Sequence, residues 1–233
     1  MTRAKRTFDT LAAGAGLVLL TPLLGLLAFL VKRDDGGPVF FRQERVGYRG
    51  RPFRIWKFRT MVRDAAARGL PLTVESDSRV TRIGGWLRRS KLDELPQLFN
   101  VLVGEMSLVG PRPEVPCYVA SYSAEQRRVL ELVPGVTDVA SIRYVAESAL
   151  LAESLDPEHV YVSEIVPDKI RLNLAYAAHA TVWSDVWVIL ATLHRLFWSR
   201  DGSARRTVAS LARRRTVASP AEPEFAATEG TMP

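Results

Sequence analysis

The chain has 233 residues, of which 47% are hydrophobic and 24% charged, values that exclude a protein disordered throughout. Its net charge of +7 is concentrated in the first 60 residues, which hold twelve Lys and Arg against four Asp and Glu. A basic end beside an apolar segment favours an anionic membrane surface over nucleic acid as partner. The single cysteine, Cys117, excludes an internal disulfide and fits a reducing compartment.

Residues 10–31 form an uncharged segment of 22 residues, long enough to cross a bilayer as a helix. Lys and Arg flank it on both sides, although positive charge marks the cytoplasmic side of a membrane. Pro22 removes one helix hydrogen bond near the middle, and the hydroxyl of Thr21 can help to satisfy a freed carbonyl. We therefore predict a re-entrant helix that enters one leaflet and returns. A straight span is the alternative.

Residues 39–61 predict a short β-hairpin, with strands at 39–46 and 53–58 around a turn at 47–50. Basic side chains alternate there with apolar ones, a pattern that also occurs in nucleic-acid-binding surfaces. Beside a membrane segment, basic side chains that reach the lipid headgroups are the better interpretation, so no nucleic acid is expected. The basic residues are Arg42, Arg45, Arg49, Arg51, Arg54, Lys57 and Arg59.

Two adjacent carboxylates, Asp93 and Glu94, mark residues 87–114 as the candidate site. If Asp93 caps the next helix, Pro96 occupies a first-turn position whose N–H would have no intrahelical partner. The carboxylates would then lie at the positive end of the helix, a suitable place for phosphate or a metal. A capped surface helix with solvated charges is the alternative. The basic residues near the pair in sequence are Arg88, Arg89, Lys91 and Arg112.

The C-terminal third predicts further helices, with a strand at residues 140–144. Residues 183–198 contain three of the five tryptophans, and their uncharged run is too short to span a bilayer. Aromatic residues at both ends predict a helix that lies in the membrane interface, with a buried core helix as the alternative. From residue 201 the composition shifts to Ser, Ala, Pro and charge, and the hexapeptide RRTVAS occurs twice. This composition predicts a disordered tail.

Several ordered blocks of the chain resemble the bacterial sugar transferase family of monotopic polyprenyl-phosphate phosphoglycosyl transferases. They cover roughly residues 3–198, a length that resembles the minimal catalytic form without additional N-terminal membrane helices. The sequence departs from the family pattern at Asp138, where many relatives carry glycine. The blocks are KRxxD from Lys5, PVFFRQERVGYRGRPFRIWKFRTM, SRVTRIGGWLRRSKLDELPQLFNVLVGEMSLVGPRPE and, more weakly, VPDKIRLNLAYAAHATVWSDVWVILATL.

The resemblance implies an enzyme that transfers a phosphosugar from a UDP-sugar to polyprenyl (undecaprenyl) phosphate. The products would be UMP and a polyprenyl diphosphosugar, the first membrane-bound intermediate of a bacterial glycan such as an exopolysaccharide, O-antigen, capsule or glycoprotein. The implied location is the cytoplasmic face of the inner membrane, with membrane lipid and downstream glycosyltransferases as further partners. A non-catalytic membrane-anchored scaffold that binds anionic lipid or nucleic acid is the alternative.

The resemblance also assigns roles to individual residues. Asp93 matches the nucleophile that forms a covalent aspartyl-phosphosugar intermediate, and Glu94 matches a second catalytic residue that helps to hold Mg²⁺. The phosphate-binding positions are Lys57, Arg59, Arg88 and Arg112. The positions of the re-entrant helix are Lys5, Arg6, Asp9, Thr21 and Pro22.

The predicted fold is α+β and mostly helical, a monotopic membrane protein with an N-terminal re-entrant helix, a short β-hairpin and interfacial amphipathic helices. Its predicted organisation has three parts. Residues 1–35 form the membrane helix with basic flanks, residues 36–200 the cytoplasmic catalytic domain, and residues 201–233 the disordered tail.

Overall fold

The structure is a computed structural model, and it describes residues 1–65, 77–144, 147–152 and 154–198. Within these residues helices predominate, accompanied by two small sheets of two strands each. The predicted tail lies outside the described residues. The helices are α1 (Arg3–Asp35), α2 (Arg82–Ser90), α3 (Gln97–Val103), α4 (Pro116–Ala120), α5 (Val139–Arg143), α6 (Glu147–Ala152), α7 (Pro157–Val160), α8 (Val166–Ala177) and α9 (Val182–Trp198). The strands are β1 (Phe40–Val46), β2 (Pro52–Phe58), β3 (Ser107–Val109) and β4 (Gly135–Thr137).

The predicted hairpin is confirmed. Strands β1 and β2 pair antiparallel, from Phe40 opposite Phe58 to Val46 opposite Pro52. The turn between them is a short 3₁₀ segment, Tyr48–Gly50, in which Gly50 has a φ of 74°. Such a left-handed conformation costs glycine little, because it has no Cβ to clash with the backbone. The mostly helical class with one short hairpin is therefore as the sequence predicts.

The second sheet, of β3 and β4, is parallel and was not predicted. Its register pairs Ser107 with Gly135 and Val109 with Thr137. A Cβ placed on Gly135 would lie 2.1 Å from the backbone nitrogen of Gly110, so the chain after β3 approaches β4 more closely than any larger residue would allow. The strand predicted at residues 140–144 is wrong, because helix α5 forms at this point.

Helix α1 is one continuous α-helix of 33 residues with Pro22 in its interior. The hydroxyl of Thr21 donates to the carbonyl of Leu17 at 2.7 Å. The carbonyl that loses its partner to the proline is that of Val18, four residues before Pro22. The expectation that the threonine hydroxyl satisfies the freed carbonyl is therefore wrong, since it bonds one position earlier.

One face of α1 packs on the rest of the protein. The buried residues Ala13, Leu17, Leu27 and Val31 all lie on this face, and the helix packs most extensively along α3. The outward face is also apolar, with Val18 exposed by 78%. Helix α1 is apolar on both faces, and one of them packs on the rest of the protein. Its outward face is therefore suited to a non-aqueous environment.

Two small apolar clusters hold α1 against the elements that carry the carboxylates. In one, Ala13 packs with Ile55, Val101 and Met106, and in the other, Leu27 and Val31 pack with Phe58 and Leu87. A third and larger cluster joins α4 to α6, α7 and α8. Leu92 and Leu95, on either side of the two carboxylates, pack against the cluster of Leu27 and Val31.

Candidate active site

The two carboxylates lie in the short connection between α2 and α3. Helix α2 ends at Ser90, and Lys91 then takes a left-handed conformation with a φ of 57°, which reverses the chain into the 3₁₀ segment Leu92–Glu94. Asp93 and Glu94 are only 6% and 9% exposed. The alternative of solvated surface charges is thereby wrong. Asp93 is also not the cap of the next helix, because α3 begins at Gln97 with Pro96 in the capping position.

Glu94 is held by two basic side chains from different parts of the fold. Lys57 of β2 donates to its Oε1 at 2.9 Å, and Arg112, in the loop after β3, donates to its Oε2 at 3.0 Å and also to its Oε1. Burial alone would raise the pKa of Glu94, but Arg112 and Lys57 outweigh it and hold this pKa well below its usual range. Glu94 is therefore a fixed negative charge between two cations.

Asp93 is in a different environment from its neighbour. Burial raises the pKa of its carboxyl, and the charge of Glu94 adds to that, while Lys57, Lys91 and Arg88 act in the opposite direction. Its Oδ1 is buried and has no hydrogen-bond partner among the residues that the structure describes. A buried carboxylate oxygen without a donor is unusual and has its lone pairs available for a reactant.

The remaining predicted phosphate-binding residues differ in position. Arg88 lies near Asp93. Burial lowers the pKa of the arginine, and the charge of Asp93 opposes this change. The Nε of Arg88 donates to the hydroxyl of Thr60 at 2.9 Å. Arg59 forms an ion pair with Asp35, so the structure brings it to the end of α1. The cluster around Glu94 thus joins Lys57 and Arg112, with Arg88 beside Asp93.

The residues predicted for the start of the membrane helix fasten α1 to β3, α3 and α9. Lys5 donates to the carbonyl of Val109 at 3.1 Å and pairs with Asp185 of α9. Asp9 is fully buried, and its carboxylate accepts from the hydroxyl of Ser107 at 2.7 Å. Arg6 donates to two carbonyl groups at the end of α3. These bonds link the first turns of α1 directly to strand β3, whose following loop carries Arg112.

Two further polar residues beside the site escaped the sequence analysis as binding residues. Gln97 is 2% exposed and lines a narrow cleft with Arg45, Lys57 and Arg112. Its Nε2, like the Nε of Arg45, is buried without a hydrogen-bond partner in the described part of the chain. Nothing in the local sequence distinguishes these two from ordinary helix and strand residues, because their relation to the site arises only when β1, β2 and α3 are packed.

The donor set suits a divalent cation that arrives with a phosphate ligand. Across the described ranges no group of three or more His, Cys, Asp or Glu side chains could hold a metal alone. Mg²⁺ commonly takes only one or two protein carboxylates and completes its octahedron with water and substrate phosphate. Asp93, with its unpartnered oxygen, and Glu94 fit that requirement.

Most of the chain matches the model of a known protein family. Residues 1–199 match the family model described as bacterial sugar transferase. The chain therefore belongs to the bacterial sugar transferase family, as its sequence blocks predicted.

Individual relatives agree with this assignment. The chain is 40% identical over 207 residues to an undecaprenyl-phosphate glucose phosphotransferase of Komagataeibacter xylinus, covering 84% of this chain and 36% of the relative. It is 34% identical over 199 residues to a UDP-N-acetylgalactosamine-undecaprenyl-phosphate N-acetylgalactosaminephosphotransferase of Aeromonas hydrophila, covering 82% and 43%. A UDP-glucose:undecaprenyl-phosphate glucose-1-phosphate transferase of Caulobacter vibrioides is 36% identical over 195 residues, covering 82% and 69%. The chain thus spans less than half the length of the first two relatives.

Proposed function

We propose that the chain transfers a sugar 1-phosphate from a UDP-sugar to undecaprenyl phosphate, with release of UMP. The observation that carries the proposal is the buried pair of Asp93 and Glu94, in which Glu94 is fixed between Lys57 and Arg112 while an oxygen of Asp93 has no partner. Two reactants that both bear phosphate need cations, and one buried nucleophile suffices for a two-step transfer. The names of the relatives in the family support the same donor and acceptor classes.

In the first step, an oxygen of Asp93 attacks the β-phosphorus of the donor. The new bond joins that oxygen to phosphorus, and the bond from phosphorus to the oxygen bridging the two phosphates breaks, so UMP departs with the bonding electrons. The sugar phosphate is then held on Asp93 as an acyl phosphate. The guanidinium group of Arg112 contacts Glu94 and that of Arg88 lies near Asp93, and these two groups stabilise the charge that develops on the phosphoryl oxygens.

In the second step, an oxygen of the lipid phosphate attacks the same phosphorus and Asp93 departs as a free carboxylate. The covalent intermediate lets a narrow site take a nucleotide and a lipid in turn. Glu94, with Asp93, would hold Mg²⁺, and when bound this ion neutralises phosphate charge and polarises the phosphoryl group. Lys57 contacts Glu94 at 2.9 Å. This bond keeps the carboxylate in place after one nucleotide has left and before the next one binds.

The test is nucleoside monophosphate release from a panel of UDP-sugars, with Mg²⁺ and undecaprenyl phosphate in detergent or nanodiscs. We expect UMP from at least one donor and a lipid-linked diphosphosugar in equal amount. Release of UDP would mean transfer of the sugar without its phosphate, and the mechanism through Asp93 would be wrong. Release of neither nucleotide by folded protein would favour a non-catalytic membrane scaffold.

We also propose that α1 is a re-entrant helix in the inner membrane, with both of its ends at the cytoplasmic face. Lys5 at its start bonds Val109, and Asp34 at its end accepts from the backbone N–H of Ile83 at 3.3 Å, so both ends contact the same catalytic part. A helix of 33 residues would measure about 50 Å if straight, well beyond the roughly 30 Å of bilayer hydrocarbon. It is the one described helix long and apolar enough to cross a membrane.

Helix α9 supports the same orientation of the molecule. Its residues Trp183, Trp187 and Leu190 are exposed by 83%, 65% and 60% and lie on one face, while Val188 is fully buried. Because α9 also contacts α1, its exposed aromatic face suits the headgroup region beside the point at which α1 enters the bilayer. On this proposal one side of α9 is buried in the protein and the other lies in the membrane interface. Each of the two alternatives from the sequence, an interfacial helix and a buried core helix, then describes one side.

Cysteine labelling tests the proposed topology. In a Cys117→Ser background, Thr2→Cys and Arg33→Cys place single thiols at the two ends of α1, both at exposed positions. We expect a membrane-impermeant maleimide to label neither thiol in intact spheroplasts and both after permeabilisation. The cysteine-free variant gives the blank. Labelling of one end alone in intact spheroplasts would mean a straight span.

A further inference from the structure

We propose that Asp138 is a positioning residue for Arg112, and that it sets the geometry of the active site through one backbone hydrogen bond. The inference rests on the proposed function, because it concerns the residue that holds Glu94 and faces the donor phosphates. Asp138 is 2% exposed, and its Oδ2 accepts from the backbone N–H of Arg112 at 3.1 Å.

The loop that carries Arg112 has several ties to its neighbours, and after Arg112 the carbonyl of Pro113 accepts from Arg45 at 3.0 Å. Arg112 stands between Pro111 and Pro113, and proline has no backbone N–H. The N–H of Arg112 is therefore the one backbone donor within these three residues. Upstream, the loop is tied to β4 by bonds from Gly110 to Thr137 and from Gly135 to Pro111, both 3.0 Å. Asp138 directly follows β4, and its bond to Arg112 continues this series of bonds by one residue.

The carboxylate of Asp138 is itself held rigidly. Its Oδ1 accepts from the backbone N–H of Ser141 and so caps α5, and its Oδ2 accepts a second bond, from Nδ2 of Asn173 in α8, at 2.8 Å. Both oxygens are thus engaged by donors from three different segments. The cap on α5 orients the carboxylate and so sets the position of the oxygen that accepts from Arg112, while Asn173 adds a bond to that same oxygen.

A shift of the Arg112 backbone would also move its side chain and so change its contact with Glu94. The guanidinium group of Arg112 contacts both oxygens of Glu94, an arrangement that depends on the angle as well as the distance of the arginine. A displacement of about 1 Å in a group that stabilises a transition state can lower the rate about a hundredfold. The loss of the bond from Asp138 would allow such a displacement.

Two substitutions of Asp138 separate this role from the capping of α5. Asp138→Asn is nearly isosteric, and since two donors face Oδ2, its oxygen should stay toward Arg112 and Asn173 while its NH₂ group turns to Ser141 and the cap is lost. Asp138→Ser keeps a good helix cap, because serine accepts from the same N–H, but its side chain is too short to serve Arg112 as well. Asn173→Ala is the matched control, since it removes one bond to Asp138 and leaves the bond to Arg112 intact.

We expect Asp138→Ser to lower kcat for UMP release by about 10- to 100-fold, with KM for the donor changed less than about threefold, while Asp138→Asn should keep most of kcat and lose the cap of α5. Asn173→Ala should keep kcat within about threefold of the wild type. The decisive measurement is a double-mutant cycle with Arg112→Ala, assayed at high enzyme concentration. Once the guanidinium group is absent, Asp138→Asn or Asp138→Ser should lower the rate by no more than about threefold further.

An equal loss in both backgrounds would overturn the proposal, because Asp138 would then act by some route other than Arg112. A folded Asp138→Ser protein with wild-type kcat would also overturn it. Melting temperatures of all variants identify any that do not fold, and the capped Asp138→Ser protein serves if Asp138→Asn is among these. A wild-type protein that releases no UMP from any donor would instead refute the proposed function, and the inference with it.

Discussion

Replacement of Asp93 by asparagine is expected to lower the rate of UMP release by a factor of about 10³ or more, since an amide cannot form the acyl phosphate. The fold should be kept, because the Oδ1 of Asp93 makes no hydrogen bond that the change would break. The measurement combines UMP release with intact-protein mass after an acid quench in the absence of lipid acceptor. The wild type should gain the mass of one phosphosugar, and Asp93→Asn should gain none.

A matched control is Asp156→Asn, the same chemical change at a carboxylate that caps the short helix α7. Asparagine caps helices about as well as aspartate, so neither folding nor rate should change. If Asp93→Asn retained more than about a tenth of the wild-type rate, the nucleophile would have to be another group. Adduct formation on Asp93→Asn protein would lead to the same conclusion.

Replacement of Gly84 by alanine should have the largest effect on stability. A Cβ at this position would lie 2.1 Å from the carbonyl oxygen of Thr60, a backbone atom that cannot move aside alone. We expect a loss of about 3 kcal/mol in the free energy of unfolding, at the upper end for overpacking. The next residue, Gly85, meets only side-chain atoms at 3.5 Å and beyond. Gly85→Ala should stabilise α2 by about 0.5–1 kcal/mol, because alanine has the higher helix propensity.

Thermal unfolding monitored by tryptophan fluorescence compares the two variants. Equal melting temperatures for Gly84→Ala and Gly85→Ala would contradict the close approach of α2 to the end of β2. The same contact matters for the site, because Arg88 lies one turn further along α2 and donates to the hydroxyl of Thr60. Any Gly84→Ala protein that still folds should therefore also lose activity, whereas Gly85→Ala should not.

The parts of the fold that the sequence predicted are those with local determinants. The hairpin of β1 and β2 follows from strand-forming residues on both sides of a Gly-containing turn, and each predicted strand begins or ends within one residue of the observed one. The apolar run likewise predicted α1, although the helix extends into both charged flanks. Such features need no information about distant residues.

The parts that were missed depend on distant contacts. Strands β3 and β4 have three residues each, too few to show a periodic pattern, and they pair across about 28 positions of sequence. Residues 140–144 contain strand-forming side chains, but Asp138 caps them into a helix by accepting from Ser141. An aspartate three residues before a serine could have suggested this cap. Its second role, as a partner of Arg112, could not have been found locally.

For the candidate site, the sequence supplied the residue types and the family resemblance supplied the roles. The structure adds that Glu94, Lys57 and Arg112 form one hydrogen-bonded group and that Arg59 pairs with Asp35 instead. Arg59 follows β2 two positions after Lys57, so strand alternation places both on the same side and does not determine which carboxylate each of them meets. The catalytic and metal-binding roles themselves stay predictions for the experiments above.

Helix α1 is fastened to the catalytic part at both ends, by Lys5 at the start and Asp34 at the end. With the proposed seating, the site has a fixed height above the bilayer, and the protein meets its acceptor by lateral diffusion. The relevant acceptor concentration is then a number of molecules per unit area. Added inert lipid would thin out the acceptor and slow the second half-reaction, while the half-reaction with the water-soluble nucleotide would keep its rate. The rate would thus depend on a surface concentration for the lipid and on a volume concentration for the nucleotide, although both react at the same site.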